Sequence, residues 1–162
     1  MVSNKSIIQH FGLPADNVSN MIMWTVPEEL RFPPIPKKIY CHRLLVPLLT
    51  RAFRLIISRS LQHEFKTWDG CYNDRVMRGY EQKYDELFKT SPLDAAERFK
   101  SIHSWGLAID INAFENQLGH KPAMSPELVK CFTDVGFDWG GNFHTRLDGM
   151  HFQVSDEALK AA

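Results

Sequence analysis

Residues 101–112 have the sequence Ser101-Ile102-His103-Ser104-Trp105-Gly106-Leu107-Ala108-Ile109-Asp110-Ile111-Asn112. The second half of this stretch is small and apolar apart from Asp110, a composition typical of a short buried strand. An ionised carboxylate buried without a partner costs several kcal/mol, so we expect a positive charge to meet Asp110. His103 lies in the polar turn before the strand, and this turn can fold the imidazole back towards Asp110. A hydrogen-bonded His–Asp pair is one interpretation, and a divalent cation held by both side chains is the other.

A second fragment near the C-terminus, Asp148-Gly149-Met150-His151-Phe152-Gln153-Val154, supplies another histidine and another acid. His151 follows Asp148 by three residues and leads into a short apolar strand. His103, Asp110 and His151 form a three-ligand set with an open fourth position, the arrangement of catalytic zinc sites. Asp148 then stays free to act as a general base on the attacking water. The two fragments together favour a catalytic zinc centre over a simple ion pair.

These fragments resemble a known family of zinc peptidases. The spacing S-x-H-x-x-G-x-A-x-D is matched by Ser101, His103, Gly106, Ala108 and Asp110, and a later acid-x-x-H by Asp148 and His151. The family cleaves D-Ala-containing peptidoglycan stem peptides, and it includes D-Ala-D-Ala carboxypeptidases, dipeptidases and the L-alanyl-D-glutamate endopeptidases that serve as phage endolysins. The resemblance runs from about Trp68 to Val154, roughly half of the chain.

Two further segments resemble the endolysin branch of the family, namely residues 70–79 (GCYNDRVMRG) and residues 137–143 (FDWGGNF). The resemblance implies an arginine facing the reacting carbonyl. Arg75 fits the pattern of tyrosine, two residues and arginine more closely, and Arg78 is the fallback. A fixed guanidinium there could stabilise an oxyanion or hold a substrate carboxylate.

The resemblance implies an α+β fold of hedgehog or DD-peptidase type, with a small antiparallel sheet that carries the zinc site and helices packed on one side. It implies Zn²⁺ held by His103, Asp110 and His151, with Asp148 and Arg75 as catalytic residues. The implied activity is hydrolysis of the L-Ala–D-Glu bond by a phage-type endolysin. A D-Ala-D-Ala carboxypeptidase and a non-catalytic, zinc-containing cell-wall-binding domain are the alternatives.

Composition limits the other classes of function. The 162 residues fit one peptidase domain, and 44% hydrophobic with 23% charged residues is typical of a globular chain. Lys and Arg number 19, as do Asp and Glu, so no net charge attracts nucleic acid, and a metal-dependent nuclease is disfavoured. We expect no signal peptide and no membrane insertion, and therefore a protein made in the cytoplasm that acts on the cell wall after release. We also expect a monomer. The three cysteines have no metal-site spacing and should be free or buried thiols.

Local patterns predict the main elements. Apolar residues at helical spacing predict one amphipathic helix from Lys38 to about His63, with a kink or a start near Pro47. Strands are expected at about 65–68, 106–112 and 149–154. Short helices are expected at Ser6–Phe11 and after the capping residues Ser91, Ser125 and Ser155.

Several segments and side chains keep open interpretations. Residues 1–36 should wrap around the core, and residues 80–100 form a charged insertion that is either a lid beside the cleft or a solvated excursion. Trp105 and Trp139 either line a substrate groove or belong to the core. His144 is a candidate polar neighbour of the site, although it lacks both a strand context and an acid three residues earlier.

Overall fold

The computed structural model describes all residues from 1 to 162 and has an α+β architecture, as the sequence predicts. The helices are α1 (Asn4–Phe11), α2 (Leu45–Ser58), α3 (Glu81–Thr90), α4 (Leu93–Glu97), α5 (Pro126–Thr133) and α6 (Asp156–Lys160). The strands are β1 (Met21–Thr25), β2 (Lys38–His42), β3 (Trp68–Gly70), β4 (Ala108–Ile111), β5 (Phe137–Trp139) and β6 (His151–Val154). None of the helices combines the length and the apolar character that crossing a bilayer requires.

A four-stranded antiparallel sheet with the strand order β3-β4-β6-β5 forms the centre of the molecule. In its middle pair Asp110 lies directly opposite His151, and Ile109 lies opposite Phe152. Because successive side chains on a strand point to opposite faces, the first pair lies on one face of the sheet and the second on the other. The sheet therefore has a polar face at this position, backed by an apolar one.

The apolar face of the sheet packs against α5, and α5 in turn packs against α2. Phe132 of α5 lies over Phe152 of β6 with 4.5 Å between ring centroids. Phe53 of α2 is fully buried in the same core. Fully burying each of these phenyl rings contributes about 1.5–3 kcal/mol. This apolar packing holds β4 and β6 in place and thereby fixes the polar face.

The long helix predicted from Lys38 to His63 is wrong in its first part. Lys38–His42 is strand β2, which pairs antiparallel with β1 in a separate two-stranded sheet. The buried Ile39 and Cys41 alternate with exposed residues, but Cys41 also continues the helical spacing of the leucines that follow. Pro47 lies in the first turn of α2, where its missing N–H is not needed, so the helix starts near it as expected.

Other boundaries differ by a few residues. The strand expected at 65–68 is Trp68–Gly70, and β5 was not predicted. Ser91 does not cap a helix N-terminus. It ends α3, with its N–H donated to Leu87, and α4 begins at Leu93. The caps predicted at Ser125 and Ser155 are confirmed, because each hydroxyl accepts from the backbone N–H three residues later. All three cysteines are free and buried, as predicted.

The first part of the chain contributes to the core next to the main sheet. Ile7 of α1 is fully buried. The indole N–H of Trp105 donates to the carbonyl of Gly12 (3.0 Å), and the Asn17 side chain donates to the carbonyl of Trp105 (3.1 Å). These contacts fix the turn that carries His103.

Candidate metal centre

Three different elements bring His103, Asp110 and His151 together. His103 lies in the 3₁₀ turn Ile102–Trp105, Asp110 in β4 and His151 in β6. One ligand atom from each residue lies within 4.8 Å of the others. His103 Nε2 is 3.1 Å from Asp110 Oδ2, and His151 Nδ1 is 3.2 Å from Asp110 Oδ1. The structure thus groups the three residues that the sequence singled out as ligands.

Gly106 closes the turn that positions His103. It has a positive φ of 66°, which glycine adopts at little cost. A Cβ at this position would lie 2.8 Å from the backbone nitrogen of His42. The close approach of the turn to β2 therefore requires glycine at the position matched by the family motif.

Each histidine has its outer ring nitrogen bound to a carbonyl oxygen. His103 Nδ1 lies 2.6 Å from the backbone carbonyl of Cys71, and His151 Nε2 lies 3.0 Å from Oε1 of Gln153. A carbonyl oxygen only accepts, so these nitrogens carry the ring protons. In the neutral form of each ring, the lone pairs of His103 Nε2 and His151 Nδ1 then point at the Asp110 carboxylate, and in the protonated form these nitrogens donate to it.

Lone pairs that face a carboxylate repel it unless a cation lies between them. His103 Nε2 is buried and lies 3.1 Å from Asp110 Oδ2, so either a proton on this nitrogen or a cation must relieve the repulsion. Histidines that bind a metal through one ring nitrogen usually donate the N–H of the other nitrogen to a carbonyl or carboxylate oxygen, as both histidines do here. The residues present therefore fit a zinc ion with two nitrogen ligands and one oxygen ligand.

The electrostatics of the cluster also favour a positive charge. Burial alone would raise the pKa of Asp110, but hydrogen bonds from His103 and His151 and their charges hold this pKa well below its usual range. Burial opposes protonation of His151, yet the hydrogen bond to Asp110 and the charges of Asp110 and Asp148 raise its pKa overall. The cluster therefore attracts either a proton or a metal ion.

Asp148 lies in the turn before β6. Its backbone N–H donates to the carbonyl of Gly140 (2.9 Å), and its own carbonyl accepts from the N–H of His151 (3.1 Å). The Oδ1 atom of Asp148 is buried and has no hydrogen-bond partner. Burial raises the pKa of this carboxyl, as does the charge of Asp110, whereas His151 and His103 lower it. The Asp148 carboxylate has one oxygen without a hydrogen-bond partner, and its pKa depends on the charges of the three clustered residues. Both properties suit a group that accepts and donates a proton.

Both candidate arginines line a cavity of about 350 Å³ together with His103 and Asp110. The Arg75 backbone is fixed on both sides, because its N–H donates to the Ser104 hydroxyl (3.1 Å) and its carbonyl accepts from the N–H of Ser101 (2.8 Å). The Arg75 loop is thereby tied to the turn that carries His103. A larger cleft of about 760 Å³ next to α2 and α6 contains none of these residues.

The remaining candidates lie outside the ligand cluster. His144 is exposed, and Trp105 is fully buried in the core. Trp139 is half-buried and donates its indole N–H to the carbonyl of Gly149 (2.8 Å). Cys71 and Gln153, whose oxygens hold the two histidines, were not recognised from the sequence. Gln153 could have been, because it lies two residues after His151 and thus on the same face of β6.

Comparison with known proteins gives a match that covers the residues of the cluster. Residues 94–154 match a family model described as D-alanyl-D-alanine carboxypeptidase. The matched segment contains His103, Asp110, Asp148 and His151 but begins after the loop that carries both arginines. No curated protein and no solved structure gives a match.

The matched segment is less than half of the chain, and it is the part that builds the cluster. Its similarity to D-alanyl-D-alanine carboxypeptidases supports a peptidase that acts on cell-wall peptides. The match does not distinguish an endolysin from a carboxypeptidase.

Proposed function

We propose that this chain is a zinc peptidase that hydrolyses the L-Ala–D-Glu bond of peptidoglycan stem peptides, as phage endolysins do. The observation that carries the proposal is the cluster of His103, Asp110 and His151, in which one ring nitrogen of each histidine lies 3.1–3.2 Å from the same carboxylate. The family match over the same residues supports hydrolysis of a cell-wall peptide.

His103 Nε2, Asp110 and His151 Nδ1 would hold the zinc ion. Bound zinc supplies a Lewis acid that polarises the scissile carbonyl and lowers the pKa of the attacking water. Asp148 takes the proton of that water at its unpaired Oδ1 and then passes it to the leaving amine. Arg75 lines the cavity of about 350 Å³ that also contains His103 and Asp110. Its guanidinium stabilises the negative charge that develops on the carbonyl oxygen.

The description of the matching family favours a second candidate, a carboxypeptidase that removes terminal D-Ala. The endopeptidase is preferred because residues 70–79 and 137–143 resemble the endolysin branch. Mass spectrometry of purified peptidoglycan after digestion distinguishes the two activities. Stem peptides released intact from muramyl-L-Ala support the endopeptidase, whereas free D-Ala supports the carboxypeptidase.

The matched control in this digestion is the variant Asp148→Asn, which keeps the three ligands and lacks the proposed proton acceptor. Elemental analysis of both proteins verifies that each contains zinc. A zinc-loaded wild-type protein that binds peptidoglycan but releases no product would contradict the proposal and support the third candidate, a non-catalytic wall-binding domain.

The proposal includes a monomer that acts on the cell wall after release from the cytoplasm. Size-exclusion chromatography with light scattering tests the oligomeric state. Addition of the protein to intact cells and to permeabilised cells tests whether release is needed for lysis.

A further inference from the structure

The two arginines of the metal-site cavity differ in what their side chains contact. Arg75 is half-buried, and its Nη1 donates to the carbonyl of Val76 (3.3 Å). Arg78 is exposed, and its guanidinium makes no hydrogen bond or ion pair within the chain. Arg75 is therefore a fixed group, whereas Arg78 presents an unpaired cation to the same cavity.

The backbone of Arg78 is nevertheless held in place. Its carbonyl accepts a hydrogen bond from Nη2 of Arg146 (2.9 Å). Gly79 follows with a φ of 90°, and its N–H donates to the Glu81 carboxylate (2.9 Å). Arg146 lies two residues before Asp148, so this contact ties the Arg78 turn to the loop that leads to β6. The backbone of Arg78 is thus held in place, whereas its guanidinium has no partner within the chain.

Neither acid that lines the cavity, Asp69 or Asp110, forms an ion pair with Arg78. The carboxylate of Asp69 accepts from the Thr67 hydroxyl (2.7 Å) and from the N–H of Ala113 (2.9 Å). Asp110 is engaged by the two histidines of the metal site. A guanidinium held near these groups without a partner of its own suits an anion that arrives with the substrate.

We propose that Arg78 binds the α-carboxylate of the residue that carries the leaving amine. The inference rests on the proposed peptidase function, but it holds for both candidate bonds. A terminal D-Ala has its carboxylate on the carbon that bears the amine. D-Glu in a stem peptide continues through its γ-carboxyl and so also has a free α-carboxylate beside the amine. Arg78 therefore makes the enzyme selective for the acid over the corresponding amide.

The test uses two pairs of synthetic peptides. One pair is the stem peptide with D-Glu or with its α-amide, and the other ends in D-Ala-D-Ala or in D-Ala-D-alaninamide. For the pair that is cleaved, the wild-type enzyme should prefer the acid by about tenfold or more in kcat/KM, the effect expected of one hydrogen-bonded charge pair. Arg78→Gln should lose most of this preference, because the rate on the acid falls towards the rate on the amide.

Two variants serve as controls. Arg75→Gln should slow the acid and the amide by a similar factor, because an oxyanion contact is common to both substrates. Arg54→Gln removes an exposed arginine of α2 outside the cavity and should leave both rates unchanged. The zinc content and the circular dichroism spectrum of each variant verify that the fold is retained.

The outcomes separate this inference from the proposed function. A zinc-loaded wild-type enzyme that cleaves neither pair overturns the peptidase and the role of Arg78 with it. Cleavage of acid and amide at equal rates overturns the role of Arg78 alone. The same conclusion follows if Arg78→Gln keeps the wild-type ratio.

Discussion

Replacement of Gln153 by methionine should weaken zinc binding without removing a ligand. Gln153 is only 6% exposed, and its Oε1 lies 3.0 Å from His151 Nε2. Methionine has a similar length but offers no strong acceptor, so the N–H of His151 is left unpaired in a buried site. The ring proton can then move to Nδ1, where it occupies the lone pair that faces Asp110.

Loss of the group that accepts a hydrogen bond from a metal-binding histidine typically costs 10- to 100-fold in metal affinity, about 1.4–2.7 kcal/mol. In either tautomer, Nε2 of His151 stays buried without a partner, which costs about 1–3 kcal/mol in stability, so the melting temperature of the zinc-free protein should fall as well. Competition with a chromophoric zinc chelator at fixed pH measures the affinity. Gln153→Glu is the matched control, because its carboxylate still accepts from His151 and should retain the affinity. A Gln153→Met variant within about threefold of wild type would refute the assigned tautomer.

The other predictions separate the roles of the remaining residues. Asp148→Asn should retain zinc and lose about 10²–10⁴-fold in kcat, whereas His151→Ala should lose both zinc and turnover. Near-normal turnover in Asp148→Asn would show that another group accepts the proton. Arg75→Gln should keep zinc and lower kcat/KM by about two orders of magnitude, and an unchanged rate would move the oxyanion role to Arg78. Zinc affinity should rise with pH, because the pKa of His151 is raised from 6.5 and the imidazolium must lose its proton before it binds the metal. Calorimetry in buffers of different ionisation enthalpy should detect proton release at neutral pH, and the absence of release would contradict a protonated His151.

The cluster of the three proposed metal ligands could be predicted from the sequence because each residue lies in a distinctive local pattern. Asp110 is the one charged residue in an apolar strand, and the chemistry of a buried carboxylate demands a partner. His103 lies in a polar turn before a strand, and His151 is the first residue of strand β6, so both side chains can be directed towards Asp110. The distance along the chain between His103 and His151 does not matter, since the antiparallel pairing of β4 and β6 brings the two fragments together.

The parts that were missed depend on contacts without a local signal. The carbonyl of Cys71 binds His103 through the backbone, and a backbone group has no residue type that identifies it. The sequence pattern predicts a helix where β2 lies, because the apolar residues of Lys38–His42 fit both the strand and the helix period when joined to the leucines after them. Its partner β1 lies well before it in the chain, so only tertiary pairing reveals the strand.

The apolar packing that stabilises the pairing of β4 with β6 also determines where the residues of the candidate metal site lie. Ile109 and Phe152 face the core, and the burial of Phe152 against Phe132 holds this register. A slip of one residue would turn Phe152 towards the cavity and bury His151 among apolar side chains, where its charge has no partner. The apolar alternation of both strands thus disfavours a one-residue slip, which would put Asp110 and His151 on opposite faces. Packing on one face of the sheet therefore positions the two ligands on the other face, before any metal ion contributes.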